Sequence, residues 1–172
     1  MGQKTWVWRV GNDEENHSPH LADRKGRKLC GGNAMTRIVT KVLEDLCSDS
    51  NFQLAVEISP KEITSAWSVD LSALNANRRF DFAINAAGNV FVFEVNAYGG
   101  GGSKLKATAS EYTGLQEEIR KSAATFIWIT EGAGWRSSHI PLKKAFESMD
   151  HVLNLRLIEQ GALGEIVIPY RR

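Results

Sequence analysis

The sequence has only two cysteines among its 172 residues, Cys30 and Cys47. Two cysteines are too few for a disulfide framework, and they have no metal-ligand spacing, so reduced structural thiols are the default expectation. The pair His17 and His20 has no third or fourth ligand close to it in the sequence, which favours an ordinary loop. A disulfide-stapled fold is therefore excluded.

A long apolar run and a strong net charge are also lacking. Without an apolar N-terminal run, neither a signal peptide nor a membrane span is expected. The chain has 21 basic and 20 acidic residues, a formal net charge of +1. This balance does not decide for or against a nucleic-acid partner, because a basic face can occur in a neutral chain. We expect a soluble cytoplasmic protein with one hydrophobic core.

The sequence does contain clear helical and strand patterns. Helical spacing predicts a helix from Asn33 to about Leu46, and residues 60–76 begin as a helix and continue as a loop. Further along, "SKLKATASEYTGLQEEIRKSAA" predicts a long amphipathic helix, and "PLKKAFESM" predicts a helix that begins at Pro141. Predicted strands or extended segments are "FQLAVEIS", "RRFDFAI", "NVFVFEVNAY", "TFIWIT" and, as an extended or mixed segment, "HVLNLRLI".

This order of elements predicts one α/β domain, a central mixed β-sheet with helices on both faces. The domain spans residues 1–172, of which residues 1–32 are largely a loop with a basic segment. No repeat or low-complexity linker divides the remaining residues 33–172, which form the core. The turn "EGAGW" separates two of the later elements.

The two best strands bring acidic residues together if they form a hairpin with its loop at 86–89. Asp81 then lies opposite Glu94, and alternation puts Asn96 on the same face. Two adjacent carboxylates in an apolar sheet repel each other and resist desolvation, and a divalent cation removes both problems. Magnesium takes such oxygen ligands, and the main-chain carbonyl of Val95 is a further candidate.

A simpler interpretation of the same hairpin is a sheet with one solvent-facing side. Asp81 and Glu94 would then face solvent and pair with nearby arginines such as Arg79. The strand register by itself leaves the metal site and the solvent-facing pair equally open.

A run of four glycines, residues 99–102, follows the second strand. It does not match a P-loop, because Ser103 precedes Lys104 where the motif requires the reverse order. We favour a loop whose bare backbone approaches a phosphate chain, with Ser103 and the next helix N-terminus directed at it. Lys104 and Lys106 add positive charge there.

The pattern Asp81…Glu94-Val95-Asn96 resembles the active-site core of the PD-(D/E)XK nuclease superfamily, with Asn96 where a lysine is usual. The longer segments "RFDFAI", "FVFEVNAYGGGGSKLKATASEYTGL", "FIWITEGAGW" and "PLKKAFESMDHVLNL", in this order, are similar to the MboI/DpnII-type restriction endonucleases, which cleave at GATC. The resemblance covers roughly residues 21–164 and is strongest from Arg79 to Leu155. It implies a restriction-endonuclease-like core for the predicted α/β fold.

The resemblance implies a magnesium-dependent type II endonuclease, a homodimer that hydrolyses DNA at a short palindrome and leaves 5′-phosphate ends. A cognate adenine methyltransferase would be its genetic partner. Asp81, Glu94 and the carbonyl of Val95 would bind Mg²⁺, and Asn96 would take the lysine position. An amide is no base near neutral pH, so Asn96 would orient water or phosphate. The metal, helped by the phosphate itself or by Lys104, would lower the pKa of the water.

The residues that would contact DNA are basic or polar, and they lie in the basic N-terminal segment, after the glycine run and in "EGAGWRSSH". Arg136 and His139 are the candidates for base reading, whereas Trp135 fits a core aromatic better than a stacking platform. For each basic group an ordinary solvated surface is the alternative. The full candidate set is Arg24, Lys25, Arg27, Lys28, Ser103, Lys104, Lys106, Arg136 and His139.

One departure from the family pattern concerns the first helix. Thr36 stands at about the position where family members tend to have a glutamate, and threonine cannot replace its charge. The enzyme is then expected to be slower, or to use Glu44 or Glu57 instead. Two other functions stay open: a nuclease of the same fold with repair or structure specificity, and a DNA-binding module with weakened catalysis.

Overall fold

The computed structural model describes residues 31–170 of the chain. The basic segment 24–28, the histidine pair at 17 and 20, and Cys30 lie outside the described residues. Seven α-helices and five β-strands are formed in this part of the chain. In order they are α1 (Gly31–Ser50), β1 (Gln53–Ile58), α2 (Pro60–Trp67), β2 (Phe80–Ala86), β3 (Asn89–Ala97), α3 (Ser103–Ile119), β4 (Ala124–Glu131), α4 (Gly134–Ser137), α5 (His139–Ser148), β5 (Val152–Leu153), α6 (Leu155–Glu159) and α7 (Ala162–Val167), followed by a 3₁₀ turn at Ile168–Tyr170.

The five strands form one mixed sheet in the order β1-β2-β3-β4-β5. The pairs β1/β2 and β2/β3 are antiparallel, whereas β3/β4 and β4/β5 are parallel. Parallel neighbours need a crossover connection, and α3 provides it between β3 and β4, while α4 and α5 provide it between β4 and β5. The predicted mixed α/β fold is confirmed.

Both faces of the sheet are covered, which explains why its central strands are apolar along their length. On one face, Met35, Val39 and Leu43 of α1 pack with Phe82, Ile84, Phe91 and Phe93. The other face packs against α3 and α5 through side chains that include Leu105, Tyr112, Leu142 and Ala145. The sheet is thus the middle layer of three, and its two faces carry separate apolar clusters.

The predicted hairpin register is confirmed, since Asn85 pairs with Val90 and Ile84 pairs with Phe91. Several predicted boundaries were wrong. The helix α1 is longer than the predicted Asn33–Leu46. The helix predicted for residues 103–124 ends earlier, at Ile119. There the Ser122 hydroxyl donates a hydrogen bond to the Ile119 carbonyl, and the chain turns into β4. The helix α5 begins at His139, ahead of the predicted Pro141.

The segments after the predicted strands also differ in detail. The turn "EGAGW" leads into the short helix α4, and "HVLNLRLI" divides into strand β5 and helix α6. The Asn154 side chain caps α6 by accepting a hydrogen bond from the Leu157 N–H at 2.9 Å, which fixes where the helix begins. None of the helices described between residues 31 and 170 is long and apolar enough to span a bilayer.

The glycine run after β3 is fastened to the turn after β4. The Tyr98 N–H donates to the Glu131 carbonyl and the Gly134 N–H donates to the Tyr98 carbonyl, both at 2.9 Å. A Cβ atom at Gly134 would overlap the Gly100 carbonyl, so the two backbones approach more closely than any side chain allows. Gly102, with φ of +136°, lies in a region that L side chains rarely adopt.

We expect Gly134→Ala to lower the free energy of unfolding by about 1–3 kcal/mol, because the new methyl group forces the two backbones apart. The matched control is Gly114→Ala, an exposed position inside α3 with open space around it. There the substitution should raise the free energy of unfolding by about 0.5–1 kcal/mol, since alanine is the better helix former. Urea unfolding of both variants measures the difference. Equal effects at the two positions would contradict the close approach.

Candidate functional site

The strands β2 and β3 separate where the predicted acidic pair lies. Their ladder runs from Ala86–Asn89 to Phe82–Phe93, and the next opposed positions are Asp81 and Glu94. Here a carboxylate oxygen of Asp81, Oδ2, accepts a hydrogen bond from the Val95 N–H at 2.7 Å. The side chain of Asp81 is therefore held against the backbone of β3 beside Glu94.

The Glu94 side chain is buried, with 8% of the residue exposed, and both of its oxygens are engaged. Oε1 accepts from Nη2 of Arg78 at 3.1 Å, and Oε2 accepts from the Tyr112 hydroxyl at 3.0 Å. The solvent-facing interpretation is therefore wrong for Glu94. An arginine partner does exist, but it is Arg78, whereas Arg79 lies against Glu62 at 3.6 Å.

Asn96 is linked to Glu94 through Tyr112. The indole N–H of Trp128 donates to Oδ1 of Asn96 at 2.9 Å, and Asn96 also acts electrostatically on the Tyr112 hydroxyl, as an N–H donor beside its oxygen does. Because an indole N–H is only a donor, the amide oxygen must face Trp128, and the amide NH₂ is left for the Tyr112 oxygen. The chain of contacts Trp128–Asn96–Tyr112–Glu94 fixes the carboxylate in one orientation.

Burial disfavours the ionised form of both carboxyl groups. The pKa of Glu94 is raised to about 7, mainly by desolvation and also by the Asp81 charge, against the lowering effect of Arg78. The pKa of Asp81 is also raised, mainly by burial, although the Val95 N–H acts in the opposite direction. Burial and the Glu94 charge raise the pKa of the Tyr112 hydroxyl, which stays a hydrogen-bond donor. A cation placed between the carboxylates would relieve this cost.

The donor set fits a hard divalent cation. Asp81 and Glu94 would supply carboxylate oxygens, and the Val95 carbonyl is the further ligand expected from the sequence; magnesium commonly uses one or two carboxylates together with phosphate and water oxygens. No group of three or more His, Cys, Asp or Glu side chains suited to a metal occurs between residues 31 and 170. A site dominated by protein ligands, as zinc requires, is therefore not formed by these residues.

Glu57 is a third carboxylate whose charge acts on this site. It raises the pKa of Asp81, and its backbone has φ of +49° within β1, an uncommon conformation for a residue other than glycine. Thr36 and Glu44 belong to α1, whose apolar stripe packs on the sheet face opposite to α3. Of the two substitutes named from the sequence, Glu57 is thus the one that acts electrostatically on Asp81.

The candidate DNA contacts that the structure describes lie around the fastened glycine loop. Ser103, Lys104 and Lys106 are exposed at the start of α3, directly after the glycines. Arg136 and His139 are exposed on α4 and at the start of α5. The two groups are neighbours, because a Cβ at Gly101 would overlap the Ser137 side chain. Tertiary structure therefore joins two segments that are far apart in the sequence.

Two other predicted residues have distinct surroundings. Trp135 is a core aromatic, as expected, since it is buried and its indole N–H donates to the Thr130 hydroxyl at 2.9 Å. Lys104 is exposed and is not among the ion-pair partners that the structure gives to Glu94. The basic group next to the carboxylates is Arg78.

Arg78 and Tyr112 are the site residues that sequence reasoning missed. Tyr112 follows Leu105 and Ala109 at helical spacing, so its place on the buried face of α3 was detectable. Nothing in that spacing indicates that its hydroxyl bonds to Glu94. Arg78 and Arg79 are adjacent and of the same type, so the sequence does not show which of them faces the carboxylate.

Comparison with known proteins supports the assignment of the fold. The family model described as DpnII restriction endonuclease matches residues 22–165. A crystal structure of protein VC1899 from Vibrio cholerae is similar with a TM-score of 0.53 at 9% identity, covering 86% of this chain and 37% of the other. At this identity the likeness concerns the fold alone, and it agrees with a restriction-endonuclease-like core.

Curated relatives are similar over most of this chain. The type II restriction enzyme MjaIII of Methanocaldococcus jannaschii is 40% identical over 150 residues, covering 84% of this chain and 52% of that enzyme. DpnII of Streptococcus pneumoniae is 37% identical, with 84% and 52% covered, and MboI of Moraxella bovis is 32% identical, with 77% and 45% covered. The chain thus spans about half the length of the curated relatives it matches. Family model and relatives agree, and the chain belongs to the DpnII restriction endonuclease family.

Proposed function

We propose that this chain carries the DNA-cleaving site of a type II restriction endonuclease that hydrolyses phosphodiester bonds with Mg²⁺. The observation that carries the proposal is the approach of Asp81, at the start of β2, to the buried Glu94 near the end of β3, where Tyr112 of α3 also contacts Glu94. The matched relatives are named as type II restriction enzymes. Residues 33–172 are proposed as the catalytic core.

The proposed reaction is an attack of water on the scissile phosphorus, with departure of the 3′-oxygen and a 5′-phosphate left on the product. Bound Mg²⁺ would lower the pKa of the attacking water and stabilise the leaving oxygen. Asp81 and Glu94, with the carbonyl of Val95, would hold the ion. The backbone contact at Val95 and the hydroxyl of Tyr112 orient the two carboxylates before the ion arrives. Such preorganisation avoids rearrangement during the reaction.

Asn96 fits a positioning function better than direct proton transfer. Its amide is engaged by Trp128 and Tyr112, and an amide does not accept a proton near neutral pH. The order of contacts indicates that it holds Tyr112 against Glu94. Lys104 is proposed to contact a DNA phosphate from the first turn of α3.

The substrate is proposed to be double-stranded DNA with the palindrome GATC, which the family resemblance suggests. A palindrome is matched by a two-fold symmetric enzyme, so a homodimer cutting one strand per subunit is the proposed assembly. An adenine methyltransferase is the proposed genetic partner, because an unprotected host genome would otherwise be cut. A cytoplasmic location follows from this proposal, since it places the enzyme with DNA.

A DNA-binding module with weakened catalysis is a second candidate. The specific observation in its favour is that Arg78 and Tyr112 already engage both oxygens of Glu94. Such a module would bind GATC-containing DNA in Ca²⁺ without cutting it in Mg²⁺ or Mn²⁺. A nuclease with repair specificity would instead give ragged or structure-dependent ends.

Purified protein should convert unmethylated plasmid to fragments with GATC ends in Mg²⁺ and should stop when EDTA is added. Asp81→Asn and Glu94→Gln should each slow cleavage by roughly a thousandfold, because metal charge stabilisation is worth several kcal/mol. Asp81→Asn keeps an acceptor for the Val95 N–H and Glu94→Gln keeps one for the Tyr112 hydroxyl, and thermal unfolding checks that each variant is folded. Sequencing of the product ends and single-turnover rates measure the outcome. Rapid cutting by either folded variant would show that this pair is not the metal site.

Separate substitutions should divide the DNA contacts into phosphate and base contacts. Lys104→Ala should weaken binding several-fold on every sequence and lower the salt slope by about one, whereas Arg136→Ala should reduce discrimination against altered sites by roughly tenfold. The control is Lys121→Ala, an exposed lysine just beyond the opposite end of α3. Filter binding in Ca²⁺ at several salt concentrations tests this. The assignment fails if Lys121→Ala weakens binding as much as Lys104→Ala.

Cation binding should be pH-dependent because Glu94 has a pKa raised to about 7. Below that pH the metal-free carboxyl holds a proton that the cation must displace, so Ca²⁺ affinity should rise with pH and level off above about 7, with close to one proton released per ion near pH 6. Calorimetry in two buffers of different ionisation enthalpy measures the released protons. Affinity that is constant from about pH 5.5 to 8 would contradict the raised pKa of Glu94.

A further inference from the structure

The positive charge beside the candidate metal site comes from Arg78. Position 96 holds an uncharged amide, and Lys104 is exposed on the first turn of α3. Arg78, by contrast, forms an ion pair with Glu94 at 3.1 Å, and its charge also acts on Asp81. Within the described part of the chain, this guanidinium is the cation that both carboxylates experience.

The guanidinium lies in a built environment. It packs near the rings of Phe80 and Tyr112, at 5.8 and 5.7 Å from their centroids, and its side chain is 19% exposed. A second carboxylate, Glu111 of α3, accepts from Nη1 at 3.1 Å and is 58% exposed. Arg78 therefore extends from the buried Glu94 to the protein surface between two aromatic walls.

One donor of this guanidinium has no protein acceptor. Nε of Arg78 is buried and makes no hydrogen bond, although nearly all buried polar groups in native proteins are paired. An unpaired buried donor costs roughly 1–3 kcal/mol. The contacts of Arg78 with Glu94 and Glu111 thus leave one guanidinium donor without a hydrogen bond. An anion that accepts from Nε would remove this cost.

A cation bound to Glu94 changes what Arg78 can contact. Oε1 accepts from Nη2 and Oε2 from Tyr112, so a cation that binds Oε1 competes with the guanidinium for this oxygen and also repels it. The DNA phosphate that accompanies the ion in the proposed reaction is an anion, and arginine is suited to phosphate oxygens because its donors form a planar fork.

We propose that Arg78 has two functions at this site: it is the counter-ion of Glu94 when no metal is bound, and in the complex with DNA it contacts the scissile phosphate, supplying the charge that Asn96 lacks. This inference rests on the proposed nuclease function. Arg78 competes with the metal in the first state and is a catalytic residue in the second. Its loss should therefore change metal affinity and cleavage in opposite directions.

The experiment compares Arg78→Gln and Arg78→Lys with the matched control Arg79→Gln. Arg79 is the adjacent arginine, it is exposed, and it contacts Glu62 and the Glu57 carbonyl instead of Glu94. Calorimetry with Ca²⁺ in the absence of DNA gives metal affinity, and single-turnover cleavage of GATC-containing DNA in saturating Mg²⁺ gives the rate. Thermal unfolding confirms that each variant is folded.

Arg78→Gln should bind Ca²⁺ about tenfold more tightly, because a competing charge is removed, and should cleave about a hundredfold more slowly, because a charge contact to the transition state is lost. Arg78→Lys should recover part of the rate, and Arg79→Gln should stay within about twofold of the parent protein in both measurements. If Arg78 only stabilised the fold, metal affinity and rate would fall together.

Two results would overturn the inference: unchanged or weaker Ca²⁺ binding by Arg78→Gln, or cleavage at the parent rate. If Arg78→Gln does not fold, Arg78→Lys and Glu111→Gln provide the test. Glu111→Gln removes the ion pair of Arg78 with Glu111 and keeps the charge of Arg78, so it should leave the cleavage rate intact. A loss of rate as large as that expected for Arg78→Gln would contradict the inference. A parent protein that binds Ca²⁺ and does not cut DNA refutes the proposed function, whereas the Ca²⁺ comparison still decides the counter-ion function of Arg78.

Discussion

The burial of one carboxylate, that of Glu94, is the constraint on which the rest of the site depends. An ionised carboxylate away from water is costly unless it is paired and hydrogen-bonded. Arg78 and Tyr112 provide those partners, and Tyr112 is in turn held by Asn96, whose oxygen is fixed by Trp128. The aromatic rings of Tyr112 and Trp128 meet edge to face at 5.2 Å, so the polar contacts are embedded in the apolar cluster between the sheet and α3. This explains why polar side chains can lie on one face of an otherwise hydrophobic strand.

The sheet also determines where this carboxylate meets the surface. Strand β3 is antiparallel to β2, so Glu94 near its C-terminal end lies beside Asp81 at the start of β2, and the chain continues from there through Tyr98 into the glycine run. That run is fastened by backbone hydrogen bonds to the turn after β4, which brings the start of α3 next to α4 and α5. Glycine is needed at Gly134, where a Cβ would overlap the Gly100 carbonyl, so this loop is in contact with the turn after β4. The proposed DNA contacts of α3, α4 and α5 are therefore neighbours of one another.

Much of the fold was accessible from local pattern. The alternation of Phe, Val and Ile around Gly88 was sufficient for the hairpin register, and the register was sufficient to bring Asp81 next to Glu94, because opposed positions share a face. Helix ends were less accessible: α5 begins two residues before Pro141, and α3 stops at Ile119 because the chain turns there into β4. Such helix ends depend on how the chain must turn to reach the neighbouring strand or helix, and helix propensity does not contain this information.

The sequence by itself determined the family, the order of the long helices and the strands as far as β4, and the acidic pair, because these follow from short-range periodicity and from segments that resemble known enzymes. Only the tertiary structure decided which cation faces Glu94. Arg78 and Arg79 are adjacent and chemically identical, yet one lies between Phe80 and Tyr112 while the other reaches Glu62 on the surface. Tyr112 comes from a helix 18 positions after Glu94. Contacts of this kind are created when the helix packs on the sheet, since burial and orientation, and not residue type, determine which side chain compensates a buried charge.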